Sequence, residues 1–131
     1  MALNILIVDD SQTVRGMIAK TLSLAGVPIN EIHQAANGRE ALQILKDHWI
    51  DLVLSDINMP VVDGLEMIAQ MKRDEALKAI PIIVVSTEGS TTRMEQLKAQ
   101  GIHAYIRKPF TPEQIRTVVD KVIGASDGRQ S

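Results

Sequence analysis

The sequence predicts an α/β protein whose five parallel strands form one doubly wound sheet with helices on both faces. Three observations lead there. Five short β-prone runs, Ile5 to Val8, Ile32 to Ala35, Leu52 to Leu54, Ile82 to Val85 and Ala104 to Ile106, alternate with helical patterns, the order expected of a parallel sheet. The run Leu52 to Leu54 is apolar without alternation, as a strand buried on both faces is. Finally, 131 residues with 45% hydrophobic and 23% charged side chains suit one globular domain with a core of its own.

Each element follows from its residues. Leu3 to Val8 is apolar apart from Asn4; it is too short to cross a bilayer and has no basic flank or small-residue cleavage site, so it reads as the first strand. The first helix places Val14, Met17, Ile18, Thr21, Leu22 and Ala25 at helical spacing, with Ser11 or Thr13 as N-cap and Gly26 as the stop. Asn37 or Gly38 starts the second, which buries Ala41, Leu42 and Leu45. Asp63 caps the third, Gly64 to about Arg73, with Leu65, Ile68 and Ala69 on one face, and Asp74 to Ile80 is a loop ahead of Pro81. The fourth, about Thr92 to Gln100, has only Met94 and Leu97 as large apolar residues, so it is expected to be the least firmly packed; Gly101 ends it. The fifth has Thr111 as cap, Pro112 at the first position, Gln114 at the third, and a stripe of Ile115, Val118, Val119, Val122 and Ile123. After Gly124 the residues read as a frayed tail, which divides the chain into a domain of residues 1–124 and a tail of 125–131.

Composition excludes several functions. A formal net charge of −2 without a lysine or arginine run argues against binding nucleic acid or an anionic membrane by bulk charge. The absence of cysteine excludes disulfides, thiol catalysis and cysteine-ligated zinc, and suits a cytoplasmic location. No GxxxxGK[ST] loop or GxGxxG fingerprint is present, so nucleotide binding is not expected. His33, His48 and His103 are scattered without ligand spacing, and the loop from Asp56 fails a calcium-hand pattern because its sixth position is Val61.

Chemistry concentrates in the stretch Asp51 to Pro60, DLVLSDINMP. Its strand delivers Asp56 to the carboxyl end, and in an open parallel sheet ligands bind in the crevice beyond those ends. On this stretch alone Asp56 could equally cap a loop or helix. Strand one, however, ends in Asp9 and Asp10, so three carboxylates converge if strands one and three are neighbours. Clustered carboxylates repel unless a cation joins them, and a hard divalent ion such as Mg²⁺, held by few protein oxygens plus water and phosphate, answers that need. Strand four ends in Ser86 and Thr87, and strand five delivers Lys108, whose mobile charge can reach an anion beside the metal.

These residues, VDD at Val8 to Asp10, SDINMP at Ser55 to Pro60, Asp63 and Gly64, VST at Val85 to Thr87, and KPF at Lys108 to Phe110, resemble the receiver domains of two-component response regulators. The resemblance covers Leu3 to about Ile123 and is greatest to the free-standing, CheY-like members, since no output domain follows the fifth helix. It implies a flavodoxin-like sheet of strand order 2-1-3-4-5. It also implies that Asp56 accepts a phosphoryl group from a sensor histidine kinase or phosphotransfer protein. Mg²⁺ would be held by Asp10, Asp56 and the Asn58 carbonyl, with Asp9 positioning it. Lys108 and Ser86 would contact the phosphoryl group, Ser86 and Tyr105 would form a switch, and Asn58 and Glu88 would tune dephosphorylation. Such a protein catalyses only its own phosphorylation and dephosphorylation, acts as a monomer, and signals to a downstream protein, with chemotaxis as one setting. Ser86 stands where the family often has threonine, which keeps the hydroxyl but removes a packing methyl. Two rival readings are a phosphorylation-independent adaptor and an aspartyl-phosphate-forming Mg²⁺ phosphatase; the latter carries a second aspartate where this chain has Asn58.

Overall fold

The computed structural model describes residues 2–57, 64–87 and 91–128. Strands β1 (Leu3–Val8), β2 (Ile29–Ala35), β3 (Leu52–Ser55), β4 (Ile82–Ser86) and β5 (Ala104–Arg107) alternate with helices α1 (Gln12–Leu24), α2 (Gly38–Asp47), α3 (Gly64–Arg73), α4 (Thr91–Ala99) and α5 (Pro112–Gly128). All pairings are parallel, in the order β2-β1-β3-β4-β5, as the resemblance implies. Alternation along the strands divides the interior in two. Leu6, Val8, Val53 and Val84 pack with Ala41, Leu45, Met67, Ile68, Met71 and Leu97 of α2, α3 and α4. Ile5, Ile7, Leu54 and Val85 pack with Ile18 and Leu22 of α1 and with Ile115, Val119 and Val122 of α5. Central strands are therefore buried on both sides, which is why they read as apolar runs.

Capping chemistry sets the helix starts. Ser11 Oγ accepts from Val14 N and Asn37 Oδ1 from Glu40 N, at 3.2 and 2.9 Å, so of the alternatives the sequence left open these two are the caps. Thr111 and Gln114 bond reciprocally, at 3.1 and 2.8 Å, in a capping box. Gly26, at φ +77°, ends α1, and Arg116 of α5 donates to the carbonyls of Ala25 and Gly26, both at 3.0 Å, tying the two helices of that face together. Asp74 organises the 74–80 turns through Ala76 N to Asp74 Oδ1 at 2.8 Å.

Four expectations differ in detail. β2 begins at Ile29, three residues earlier than the apolar run, because an edge strand tolerates the exposed Asn30 and Glu31. Met17 is 58% exposed and lies outside the buried stripe of α1, which rests on Ile18 and Leu22. The buried face of α3 is Met67, Ile68 and Met71, with Leu65 partly buried and Ala69 not buried. Helix α5 continues past Gly124 to Gly128; Gly124 lacks the positive φ of a stop, and one interior glycine costs a helix only about 1 kcal/mol relative to alanine. The expected Asp63 cap lies outside the described residues.

At the amino ends of β4 and β5, His103 N donates to Ile82 O at 2.8 Å while His103 Nδ1 accepts from Ile82 N at 3.2 Å. An accepting nitrogen must be unprotonated. Partial desolvation and then the Lys72 ammonium lower the His103 pKa from 6.5. Stability from this group is therefore complete above 6.5 and declines as pH falls through the lowered folded value. His103 is an exposed residue, so the effect is shallow. His103→Asn, whose amide oxygen can accept but not titrate, should flatten the fall in urea midpoint between neutral and mildly acidic pH. An identical pH slope in the two proteins would contradict this.

Candidate functional site

The strand order reverses between β1 and β3, and it is there, at the carboxyl ends, that the acidic residues meet. Val8 is in register with Ala35 on one side and Ser55 on the other. The ladder carries one bond further on each side, Asp9 N to Ala35 O at 3.1 Å and Asp56 N to Val8 O at 2.9 Å. Asp9, Asp10 and Asp56 consequently each offer a carboxylate oxygen within 4.8 Å of the others. Asp9 is buried, Asp56 half-buried and Asp10 exposed.

Asp9 is held on every side: Oδ1 accepts from Ser11 N at 2.9 Å, Oδ2 from Lys108 Nζ at 2.9 Å, and its carbonyl from Arg15 Nη1 at 2.6 Å. Lys108 Nζ also lies 3.6 Å from Asp56 Oδ2, a charge contact longer than a hydrogen bond. Asp56 Oδ1 accepts from Ile57 N at 2.7 Å, and its carbonyl accepts from the buried Ser55 hydroxyl at 2.7 Å. Lys108 is itself placed by its amide, which donates to Ser86 O at 2.8 Å; its peptide bond to Pro109 is cis. Behind Asp56, Gly64 N donates to Ile57 O at 3.0 Å, and a Cβ on Gly64 would come within 2.5 Å of Asp56 O. The cluster is thus a net-negative set of oxygens at a rim, with Asp9 and Asp56 engaged by neighbouring donors and Asp10 exposed.

Comparison with known proteins shows the family to which this chain belongs. Residues 5–120 match the response regulator receiver domain. The chain belongs to that family. It is 36% identical over 126 residues to the chemotaxis protein CheY1 of Helicobacter pylori, covering 95% of this chain and all of CheY1. It is 33% identical over 127 residues to a chemotaxis protein CheY homologue of Campylobacter jejuni, covering 96% of each. Its fold matches that of the chemotaxis response regulator CheY4 of Vibrio cholerae with a TM-score of 0.82 at 35% identity, covering 93% of this chain and 99% of CheY4. This is a CheY-like receiver domain of a two-component system, a signalling module and not an enzyme of the ordinary kind. Among the described residues no helix is long and apolar enough to cross a membrane.

Of the receiver-domain residues expected from sequence, the fold brings together Asp9, Asp10, Asp56 and Lys108. Ser86 ends β4 at the same rim and is buried, and Thr87 beyond it is exposed. Tyr105 lies two strand positions before Arg107, in register with Val84 and half-buried against the core cluster that contains Leu97 of α4. Asn58 and Glu88 lie outside the described residues. Ser11, Arg15, Ser55 and Gly64 had no site role in the sequence reading. One signal for Arg15 was there: a cation near the start of α1 sits at the positive end of the helix, where it is unfavourable unless something local holds it.

Proposed function

We propose that this receiver accepts a phosphoryl group on Asp56 from the phosphohistidine of a sensor histidine kinase or phosphotransfer protein and relays it as a surface change to a downstream protein. The observation that carries this reading is the convergence of Asp9, Asp10 and Asp56, with the Lys108 ammonium against Asp9 and Asp56. An all-oxygen donor set with a net negative charge fits Mg²⁺. As the resemblance to receiver domains implies, Asp10 and Asp56, with the Asn58 carbonyl, would hold the ion, and Asp9, whose two carboxylate oxygens accept from Ser11 N and Lys108, would help position it. When bound, the ion neutralises charge on the phosphoryl oxygens.

In the transfer, the Asp56 carboxylate forms a P–O bond as the P–N bond of the donor breaks, and the imidazole leaves with the electron pair. Lys108 moves from the carboxylates to a phosphoryl oxygen, and the Ser86 hydroxyl donates to another. Transfer of this kind depends on positioning and charge stabilisation more than on a general base. Asn58 and Glu88, both polar, admit the water that later hydrolyses the aspartyl phosphate. The inward movement of Ser86 makes room for Tyr105 to change rotamer, and the surface formed by α4, β5 and α5 shifts. Support for this switch comes from β4–β5 pairing and from α4, where Leu97 is the sole buried side chain between residues 94 and 99. The functional unit is the receiver domain of residues 1–124, with α5 running on to Gly128, acting as a cytoplasmic monomer.

Treatment with Mg²⁺ and acetyl phosphate tests the reading. One phosphoryl group per chain supports a receiver; sustained turnover of varied phosphomonoesters indicates a phosphatase, and no reaction an adaptor.

A further inference from the structure

The peptide joining Asp9 to Asp10 carries both acidic side chains of the β1–α1 loop, and its carbonyl is gripped by a side chain from the first turns of α1. Arg15 Nη1 donates to Asp9 O at 2.6 Å, while Arg15 Nε donates to Gln34 Oε1 at 3.0 Å. Gln34 lies at the carboxyl end of β2, so the guanidinium spans from the neighbouring strand to the acidic loop. Asp9's own carboxylate is fixed independently by Ser11 N and Lys108. Asp10 has no such support: it is exposed, and no hydrogen bond or ion pair from the described residues reaches its carboxylate. The Asp10 carboxylate is therefore placed only through the backbone that carries it, and that backbone joins the Asp9–Asp10 peptide. Asp9 N and Ser11 N are bonded on either side of this peptide, and the charged Arg15 donor at 2.6 Å holds its carbonyl.

We propose that Arg15, braced by Gln34, is a positioning residue that aims the Asp10 carboxylate into the acidic cluster. Its consequence for Mg²⁺ rests on the function proposed above; its consequence for the Asp9–Asp10 peptide does not. Two effects oppose each other at this residue. As a cation bonded to the Asp9 carbonyl beside the acidic cluster, Arg15 disfavours a further cation, so its removal would tighten Mg²⁺ binding if charge alone mattered. As the clamp on the peptide that carries a ligand, it favours binding, and groups that orient metal ligands typically change affinity by about tenfold or more when removed. The short, doubly anchored bond favours the second effect. Arg15→Lys separates them, because lysine keeps the charge but has no fork with which to hold Asp9 O and Gln34 together.

The test uses the full chain in two states. In metal-free protein, ¹⁵N relaxation reports the order of the Asp10 amide. In Mg²⁺ titrations, calorimetry reports affinity. Arg15→Ala and Arg15→Lys should both loosen the Asp10 amide and weaken Mg²⁺ binding by about tenfold, and Gln34→Ala, an exposed substitution that leaves the fold intact, should do the same to a smaller degree. Tighter Mg²⁺ binding in Arg15→Ala, or an Asp10 amide as ordered in the variants as in the wild type, would overturn the proposal. Should the wild type take up no Mg²⁺, the magnesium reading fails while the relaxation comparison still decides whether Arg15 holds the peptide.

Discussion

Lys108→Ala should make the metal-free protein less stable, raise its affinity for Mg²⁺, and slow its phosphorylation, three changes with one origin. The ammonium stands 2.9 Å from Asp9 Oδ2 and 3.6 Å from Asp56 Oδ2, with side chains only 18%, 3% and 15% exposed. Removing one partner of a buried pair leaves a charge without its counterion, at a cost of about 3 to 5 kcal/mol in well-buried cases. Asp9 keeps the Ser11 amide and Lys108 is partly open to water, so about 2 to 3 kcal/mol is expected here. A divalent ion can take over the lost neutralisation. Its affinity should rise, and by linkage saturating Mg²⁺ should return much of the stability, since a ligand at a hundred times its Kd contributes about 2.7 kcal/mol. The phosphorylation rate should fall nonetheless by about 10²-fold, the usual loss when one positioned donor to the transferring oxygens is removed. Urea unfolding with EDTA and with Mg²⁺, together with acetyl phosphate kinetics, reads all three. Equal stability of the two proteins in EDTA would mean that the pair is not a stabilising contact.

Gly64→Ala should be the most damaging small substitution near the site. An added Cβ would lie 2.5 Å from Asp56 O and 2.6 Å from Ile57 Cα, both backbone atoms. No rotamer change can relieve that overlap. The amino end of α3 cannot simply retreat, because Gly64 N is bonded to Ile57 O at 3.0 Å. Either the helix start or the Asp56–Ile57 turn must move, at about 3 kcal/mol, the upper end of the usual overpacking cost. A shift of the acceptor by as little as about 1 Å can slow a positioned reaction some 10²-fold, so phosphorylation should fall with stability. Gly16→Ala provides the control: nothing lies within 4 Å of its added Cβ and its φ is not positive, so it should be neutral or stabilising by up to about 1 kcal/mol. If urea midpoints of the two variants coincide, the close approach at Gly64 is not what the geometry indicates.

What the sequence disclosed and what it withheld have physical causes. Strand ends are legible because buried parallel strands are apolar runs that stop abruptly, which is how Asp9, Asp10, Asp56, Ser86 and Lys108 could be placed on one rim. The order β2-β1-β3-β4-β5 came from the resemblance, since periodicity does not say which strand lies beside which. The start of β2 was hidden because an edge strand can carry Asn30 and Glu31 on exposed positions. Met17 fits the helical period but falls on the solvent side, a choice that depends on how α1 rolls against the sheet. A partner for Lys108 was expected, but not that Asp9 is nearer than Asp56. Arg15 on Asp9 O and Gly64 against Asp56 O are contacts to backbone atoms, which leave no complementary side chain to notice in the sequence.

The central claim is that Asp56 is the residue that takes the phosphoryl group. Intact mass after incubation with acetyl phosphate and Mg²⁺ tests it most directly, with wild type and Asp56→Asn treated side by side. Wild type should gain the mass of one phosphoryl group, and should fail to gain it when EDTA replaces Mg²⁺; Asp56→Asn, near-isosteric and folded, should gain nothing. A full phosphoryl mass on Asp56→Asn would place the acceptor elsewhere and contradict the account.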